Sequence, residues 1–468
     1  MIKTFEIHKS DISLDYRFEV AYYHFSKIIR EDSLTKGVVF DKLRNLCSLI
    51  SDGEHSAIPR QKELGVRYLY GRNIKDGIVN FDPNTDSSYI TEKNYQKFTR
   101  IHLKENDILL TIVGTIGKTA LYKQQYVGKA GIPRHIAKIR LKDDCGVSPE
   151  YIVVFFLSKL GKWQLNNITT GNIQPLLSIG NIEKLDIPII NKKVHDEITF
   201  KEQKFVECES KALTLISQAQ QLFYTRLGID FTAIEKQNIF SVNKSDFADA
   251  DLWMPMYSYP LYVNTLKAIQ NKWQTITVSE IADLKKGDEV GSDTYIGYLE
   301  KRKSDVPFVR TSDIVNYEID QYPDFFIPEE IYNELRQGFQ NGDVLFTKDG
   351  KIGMVGMITE HDKAIISSGF VCLRLNKKAQ EHGVTPEYLF LTLSIKEIGI
   401  YASKRRTVVA STIPHLREER LKEIEIPILD KETITKITDL VKQAFELKGE
   451  KKRLISEVRE TMDGYFAL

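Results

Sequence analysis

The sequence predicts an α+β chain built twice over: two mixed globules, each followed by a long helix, with the helices packed against one another. Three observations carry this reading. Two halves of the 468 residues match in the same order, at an offset that drifts only between 234 and 240 positions. Each half closes on a long segment with apolar residues at heptad spacing. The remainder of each half alternates short apolar runs with Gly-rich breaks, the pattern of strands and turns.

The matches run in order. Asp15 with Tyr22 and Tyr23 resembles Asp251 with Tyr257 and Tyr259. Leu43, Leu46, Leu49 and Gly53 answer Val278, Ile281, Leu284 and Gly287. Tyr68-Leu-Tyr-Gly-Arg-Asn-Ile74 parallels Phe308-Val-Arg-Thr-Ser-Asp-Ile314. The longest match sets Asn106-Asp-Ile-Leu-Leu-Thr-Ile-Val-Gly-Thr-Ile-Gly117 beside Gly342-Asp-Val-Leu-Phe-Thr-Lys-Asp-Gly-Lys-Ile-Gly353. Val147-Ser-Pro-Glu-Tyr151 then pairs with Val384-Thr-Pro-Glu-Tyr388, and Leu185-Asp-Ile-Pro-Ile189 with Ile424-Glu-Ile-Pro-Ile428. The apolar runs from Asp107 and from Asp343 read as strands, and the glycines after them as turns. Ser148 followed by Pro149 reads as a helix start, a cap with proline at the first helical position. The repeated Asp107 and Asp343 read as turn-formers rather than ligands.

The closing helices follow from periodicity. Ile198, Phe205, Ala212 and Ala219 lie seven apart, with Lys201, Cys208, Leu215 and Leu222 three further on. Ile434, Ile437, Val441, Ala444, Ile455, Val458 and Met462 keep the same rule, and Lys448 and Lys451 interrupt it. Such stripes predict a packed helix pair, and the simplest pair is one of these helices against the other.

Composition bounds the function. Hydrophobic residues at 42% and charged residues at 28% describe an ordinary globular chain. The four cysteines, Cys47, Cys145, Cys208 and Cys372, lie far apart with no Cys-x-x-Cys pair, which points away from a disulfide framework or zinc site and toward a reducing cytoplasm. The stretch Met1 to Lys9 is charged and does not read as a signal peptide, and no run is long enough to span a bilayer. Net charge is +1, which taken alone argues against nucleic acid. Between Lys93 and Arg140, however, ten Lys/Arg stand against Glu105 and Asp107, a local balance of +8.

Phe308-Val-Arg-Thr-Ser-Asp-Ile314, Gly342 to Gly353, Ser411-Thr-Ile-Pro-His-Leu416 and Ile426-Pro-Ile428 with its trailing helix resemble the specificity-subunit family of type I restriction–modification systems. The resemblance covers nearly the whole chain, twice. It implies a target-recognition domain over 1–190, a spacer helix over 191–229, a second recognition domain over 230–429 and a second spacer helix over 430–468. The helices would pack as an antiparallel coiled coil. Each domain would read one half of a bipartite, asymmetric site on double-stranded DNA. Two methyltransferase (modification) subunits and motor–nuclease (restriction) subunits would be the partners. The first half departs from the motif at Asn172-Ile-Gln-Pro175, where the second has Ser411-Thr-Ile-Pro414.

The chemistry of the residues agrees with a non-catalytic role without cofactor or metal. An adenine methyltransferase needs a Gly-rich cofactor loop and an Asn/Asp-Pro-Pro-aromatic motif, and this chain contains no Gly-x-Gly and no Pro-Pro. Gly114-Thr-Ile-Gly-Lys-Thr119 resembles a phosphate-binding loop but carries Ile112 where that loop needs glycine. Two rival classes are a self-contained restriction endonuclease with a divergent catalytic site and a tandem scaffold that binds only protein.

Base edges are read by Arg, Lys, Asn and Gln, and phosphates are gripped by Lys, Arg, Ser and Thr, from loops and helix ends. In the first half the candidates are Arg72, Lys118, Lys129, Arg134, His135, Asn172 and Gln174. In the second they are Arg310, Lys348, Lys351, Lys404, Arg405, Arg406 and Thr407, with Lys404-Arg-Arg406 the densest cluster.

Overall fold

The structure is a computed structural model describing residues 38–61, 64–80, 88–170, 175–237, 239–243, 254–291, 305–409 and 413–466. The matches at Asp15, Tyr22, Tyr23 and Asp251 lie outside these residues, as do Asn172, Gln174, Ser411 and Thr412. The chain divides into two compact units. The first is Met1–Cys208 with Lys451–Leu468, and the second is Glu209–Glu450.

In the first unit the strands are β1 (Val39–Lys42), β2 (Cys47–Asp52), β3 (Val66–Tyr68), β4 (Ile74–Lys75), β5 (Ile78–Val79), β6 (Tyr89–Ile90), β7 (Ile108–Thr111), β8 (Thr119–Leu121), β9 (Ala130–Gly131), β10 (Ile136–Leu141) and β11 (Asp186–Ile189). They form a four-stranded antiparallel sheet β2-β10-β7-β8, a three-stranded sheet β6-β3-β9, and the pairs β1-β11 and β4-β5. Helix α1 (Pro149–Leu157) starts as its sequence demands: Ser148 Oγ accepts from the Tyr151 amide at 3.1 Å, with proline in the first turn. α2 (Lys159–Asn167) follows, and α3 (Lys192–Leu227) closes the first copy.

The second unit repeats this order. β12 (Thr275–Thr277), β13 (Ala282–Lys286), β14 (Val306–Val309), β15 (Ile314–Val315), β16 (Glu318–Ile319), β17 (Phe326–Ile327), β18 (Val344–Thr347), β19 (Val355–Met357), β20 (Ile365–Ile366), β21 (Phe370–Leu375), β22 (Val408–Val409), β23 (Pro414–His415) and β24 (Glu425–Pro427) are its strands. They give β13-β21-β18-β19, β17-β14-β20, β12-β24 and β15-β16, with the hairpin β22-β23 where the first unit has an antiparallel bridge between Thr170 and Leu176. α4 (Pro386–Ser394) and α5 (Tyr401–Arg406) correspond to α1 and α2, and α6 (Lys431–Tyr465) to α3.

The same bonds frame both copies. Tyr151 Oη donates to the Pro188 carbonyl at 2.6 Å, and Tyr388 Oη to the Pro427 carbonyl at 2.8 Å. Ser148 and Thr199 share a hydroxyl bond of 2.7 Å, and Thr385 and Thr438 one of 2.8 Å. Asp107 and Asp343 each accept an amide three residues back, as turn-formers do, and each also holds an arginine from the neighbouring strand. Arg140 Nη2 lies 2.7 Å from Asp107, and Arg374 Nη2 lies 2.6 Å from Asp343.

The heptad stripes face the core, but Lys201, Leu215 and Leu222 are half-buried, and Ile216 and Phe223 take the fully buried places beside the last two. Within the second unit α3 and α6 run antiparallel: Glu209 faces Lys448 and Arg226 faces Asp430. Ala212, Ile216, Ala219 and Phe223 join Ile437, Val441 and Ala444 in a core with Tyr388, Phe390 and Phe346. In the first unit Lys201 of α3 bonds Glu457 of α6 at 3.1 Å, while Phe205 fills the space beside Gly77. The lysines read as interruptions are not exposed. Lys448 is fully buried, its Nζ 3.2 Å from Glu209 and 3.4 Å from Glu318, and Lys451 is buried as well.

Among the described residues no helix is long and apolar enough to cross a membrane, and no cluster of three or more His, Cys, Asp or Glu could hold a metal ion.

Candidate nucleic-acid interface

The longest repeated motif ends each central strand in a glycine turn. β18 finishes at Thr347, whose Oγ1 accepts from the Met354 amide at 2.8 Å and whose carbonyl accepts from the Gly353 amide at 3.0 Å. Gly350 and Gly353 take φ of +66° and +88°, a region costly for any residue with a Cβ. Thr111 does the same in the first unit, taking the Lys118 amide at 2.9 Å and the Gly117 amide at 3.0 Å. The repeated threonine is therefore the clasp of the turn.

Three further segments close on each turn. In the second unit, the Lys348 amide donates to Gly369 O at 2.8 Å, the Gly350 amide to Pro414 O at 3.1 Å, and the Leu416 amide to Lys348 O at 2.8 Å. The 310–313 turn completes the face, for a Cβ on Gly350 would lie 3.7 Å from Thr311 Oγ1. In the first unit, the Ile112 amide donates to His135 O at 2.9 Å, the Gly114 amide to Pro175 O at 3.4 Å, and the Leu177 amide to Ile112 O at 2.9 Å. Gly71 lies beside Thr111 there. Each unit thus gathers four loops at one end of its central sheet, the end opposite the buried Asp–Arg pair.

Most predicted residues fall on these two faces. Arg72, Lys118, Arg134 and His135 lie on the first; Arg310, Lys348, Lys351 and Thr407 lie on the second. Lys118, Arg134, Lys351 and Lys404 make no side-chain ion pair among the described residues. Burial, then the charge of Arg134, lowers the pKa of His135 and favours its neutral form. Lys129 belongs to neither face: it bonds Glu92 at 2.7 Å, which raises its pKa, and sits over the Tyr95 ring. Asn172 and Gln174 lie outside the described residues.

Several cations are already neutralised. Lys348 is buried, with Nζ 3.1 Å from Asp349, so it holds the turn rather than projecting from it. Arg310 lies 3.2 Å from Asp313 and 2.9 Å from Asp324 and stacks 4.4 Å over Phe325. Burial opposes its charge, but the two carboxylates outweigh burial and raise its pKa. The Lys404-Arg-Arg406 cluster splits into different roles. Lys404 is exposed. Arg405 donates to Tyr257 O at 2.7 Å and lies 4.5 Å over that ring, with its pKa lowered by burial and then by Arg406. Arg406 is buried against Glu423, Nε to Oε2 3.2 Å, and anchors α5. Thr407 Oγ1 donates to Ser403 O at 2.7 Å, closing the same helix.

The basic stretch 93–140 is similarly reduced. Arg100 pairs with Asp52, Lys123 with Glu150, Lys129 with Glu92 and Arg140 with Asp107, while Lys138 donates to the carbonyls of Arg100 and His102. Sequence reasoning missed Arg60, which lies 5.1 Å over the Tyr70 ring that Arg72 also covers at 5.4 Å. It also missed Asp349 and His415, which bond to one another although both fall inside quoted motifs.

Residues 270–458 match the family model of the type I restriction modification DNA specificity domain. No curated protein matches the chain. Among solved structures, the S subunit of the type I restriction-modification system from M. genitalium is similar at 15% identity and TM-score 0.38, with 92% of this chain and 96% of that chain covered. The HsdS subunit from Thermoanaerobacter tengcongensis is similar at 14% identity and TM-score 0.29, with the same coverage. The match over residues 270–458 takes in the sheets of the second copy and most of its closing helix, so this part of the chain is similar to the type I restriction modification DNA specificity domain.

Proposed function

We propose that this chain is the DNA-recognition subunit of a type I restriction–modification complex and performs no chemistry itself. Each four-loop face reads one half of a bipartite site. The helix pair sets the distance between halves and docks two methyltransferase subunits, and motor–nuclease subunits complete the restriction enzyme.

One observation carries this reading: the same face is built twice on one frame with different side chains. Tyr70 stands where the second copy has Arg310, and Val113 and Leu176 where it has Asp349 and His415. Base readout depends on donor and acceptor identity, so unlike faces select unlike half-sequences and the whole site is asymmetric. Lys118, Arg134, Lys351 and Lys404 supply the phosphate contacts that hold register.

The test is co-expression with the cognate methyltransferase subunits, followed by methylome sequencing. The expected product is adenine methylation at a site of two different short halves around an unread gap. A palindromic site, or methyl transfer by this chain alone, would overturn the reading.

A further inference from the structure

The backbone bonds that pin the glycine turn are equivalent in the two units, but the side chains across them are not. In the first unit Val113 faces Leu176 across an antiparallel bridge, two apolar residues in loose contact with solvent. In the second the same bridge sets Asp349 opposite His415. His415 Nδ1 meets Asp349 Oδ1, and the other carboxylate oxygen, Oδ2, takes the ammonium of buried Lys348 at 3.1 Å. Asp349 is thus held from both sides, by a lysine on its own turn and by a histidine on β23.

A charged hydrogen bond of this kind fixes both partners' rotamers, which an apolar contact does not. Asp349 immediately precedes Gly350, and Lys351 stands exposed two residues on. Backbone bonds from the Gly350 amide to Pro414 O and from the Leu416 amide to Lys348 O already tie the turn to β23. The Asp349–His415 bond adds a side-chain clamp at the same junction, between Lys351 and β22-β23. Among the described residues, only the second unit carries a polar pair at this bridge.

We propose that Asp349 and His415 are positioning residues for the second recognition face: they lock the 350–353 turn to the β23 strand and so fix where Lys351 meets DNA. The inference rests on the DNA-reading function and goes beyond it, because it makes second-half discrimination depend on a bond that does not itself touch DNA.

The experiment selects bound duplexes from a randomised pool with the full-length chain and reads the enriched motif. Wild type should enrich two separate sequence elements. Asp349→Val and His415→Leu should each blur one element, with discrimination at its bases falling roughly tenfold, and leave the other sharp. The intact element reports that the variant is folded. His415→Asn, whose amide can still donate to Asp349, should restore the blurred element. So should Lys348→Ile with Asp349→Val and His415→Leu, which installs the first unit's apolar set of Ile112, Val113 and Leu176 and leaves no buried ammonium unpaired. Both elements staying sharp in the single variants would overturn the proposal. A triple variant as blurred as the singles would also overturn it, since that result makes His415 a direct DNA contact. Wild type enriching no motif would remove the DNA-reading function itself, and the positioning role with it.

Discussion

Lys448 buries its ammonium against Glu209, with Nζ 3.2 Å from Oε2, and these two residues occupy the same position of the repeat, one in each long helix. Glu318 lies 3.4 Å from the same ammonium, and Asn316 Nδ2 donates to Glu209 at 2.8 Å. Removing one partner strands an uncompensated charge, which costs about 3–5 kcal/mol. Lys448→Met leaves two carboxylates facing each other and should cost more than Glu209→Gln, which leaves Lys448 its bond to Glu318. Denaturant unfolding of the full chain measures both; equal and negligible losses would show that the cluster does not stabilise the pair.

Glu202 is fully buried in the first unit, and neither carboxyl oxygen has a hydrogen-bond partner. Burial, and then the neighbouring Glu150, hold its pKa well above the ordinary 4.5, against a smaller opposing pull from Lys123. The folded chain therefore keeps a proton that the unfolded chain releases above pH 4.5, so this residue's contribution is intact below that value and is lost as pH rises toward the folded one. Glu202→Gln should stabilise the protein at neutral pH and flatten the decline in stability from pH 5 upward. Unfolding midpoints across that range decide it, and an unchanged slope would count against the assignment.

The three adjacent cations of α5 should behave differently. Lys404→Ala should leave stability unchanged while lowering the salt slope of DNA binding by about one, the loss of one phosphate contact. Lys351→Ala should act in the same way. Arg406→Ala should destabilise the fold by about 1–3 kcal/mol, because Glu423 loses its partner and the backbone carbonyls of Ala402 and Glu423 lose a donor. Binding titrations at several salt concentrations, set beside thermal melts, separate the two behaviours.

Spacing can be tested without disturbing either core. Deleting the heptad 210–216 removes Ala212 and Ile216 from the second unit's core and should abolish activity. Inserting seven residues after Cys208 and seven more after Glu450, between the segments assigned to the two units, keeps both cores. At ~1.5 Å per residue and ~3.4 Å per base-pair step, the unread gap should lengthen by roughly three base pairs. Methylome sequencing should find both half-sequences unchanged; an altered half with an unaltered gap would mean that the helices read bases.

Local signals proved readable. Ser148 and Pro149 start a helix wherever they stand, heptads bury the same edge in any partner, and Thr111 and Thr347 clasp their turns with atoms a few residues away. What sequence could not supply was the partner of each charge. Lys448 breaks an apolar stripe on paper, yet its counter-charge Glu318 lies 130 positions away. Arg406 looks like one of three surface cations until Glu423 folds over it. The basic run 93–140 loses much of its field to Asp52, Glu92 and Glu150, all outside that window. Charge is a property of neighbourhoods, and neighbourhoods are made by the fold.

The frame bonds from Tyr151 to Pro188 and from Tyr388 to Pro427 bear on how such a protein changes over generations. They sit behind the reading faces and involve none of the side chains that distinguish one face from the other. Under the proposed function, a mutation at Tyr70 or His415 would alter one word of the recognised site while the scaffold and the other word stay as they were. Each copy would then be free to acquire its own vocabulary, and a lineage would obtain a new whole site by altering a single loop in a single half.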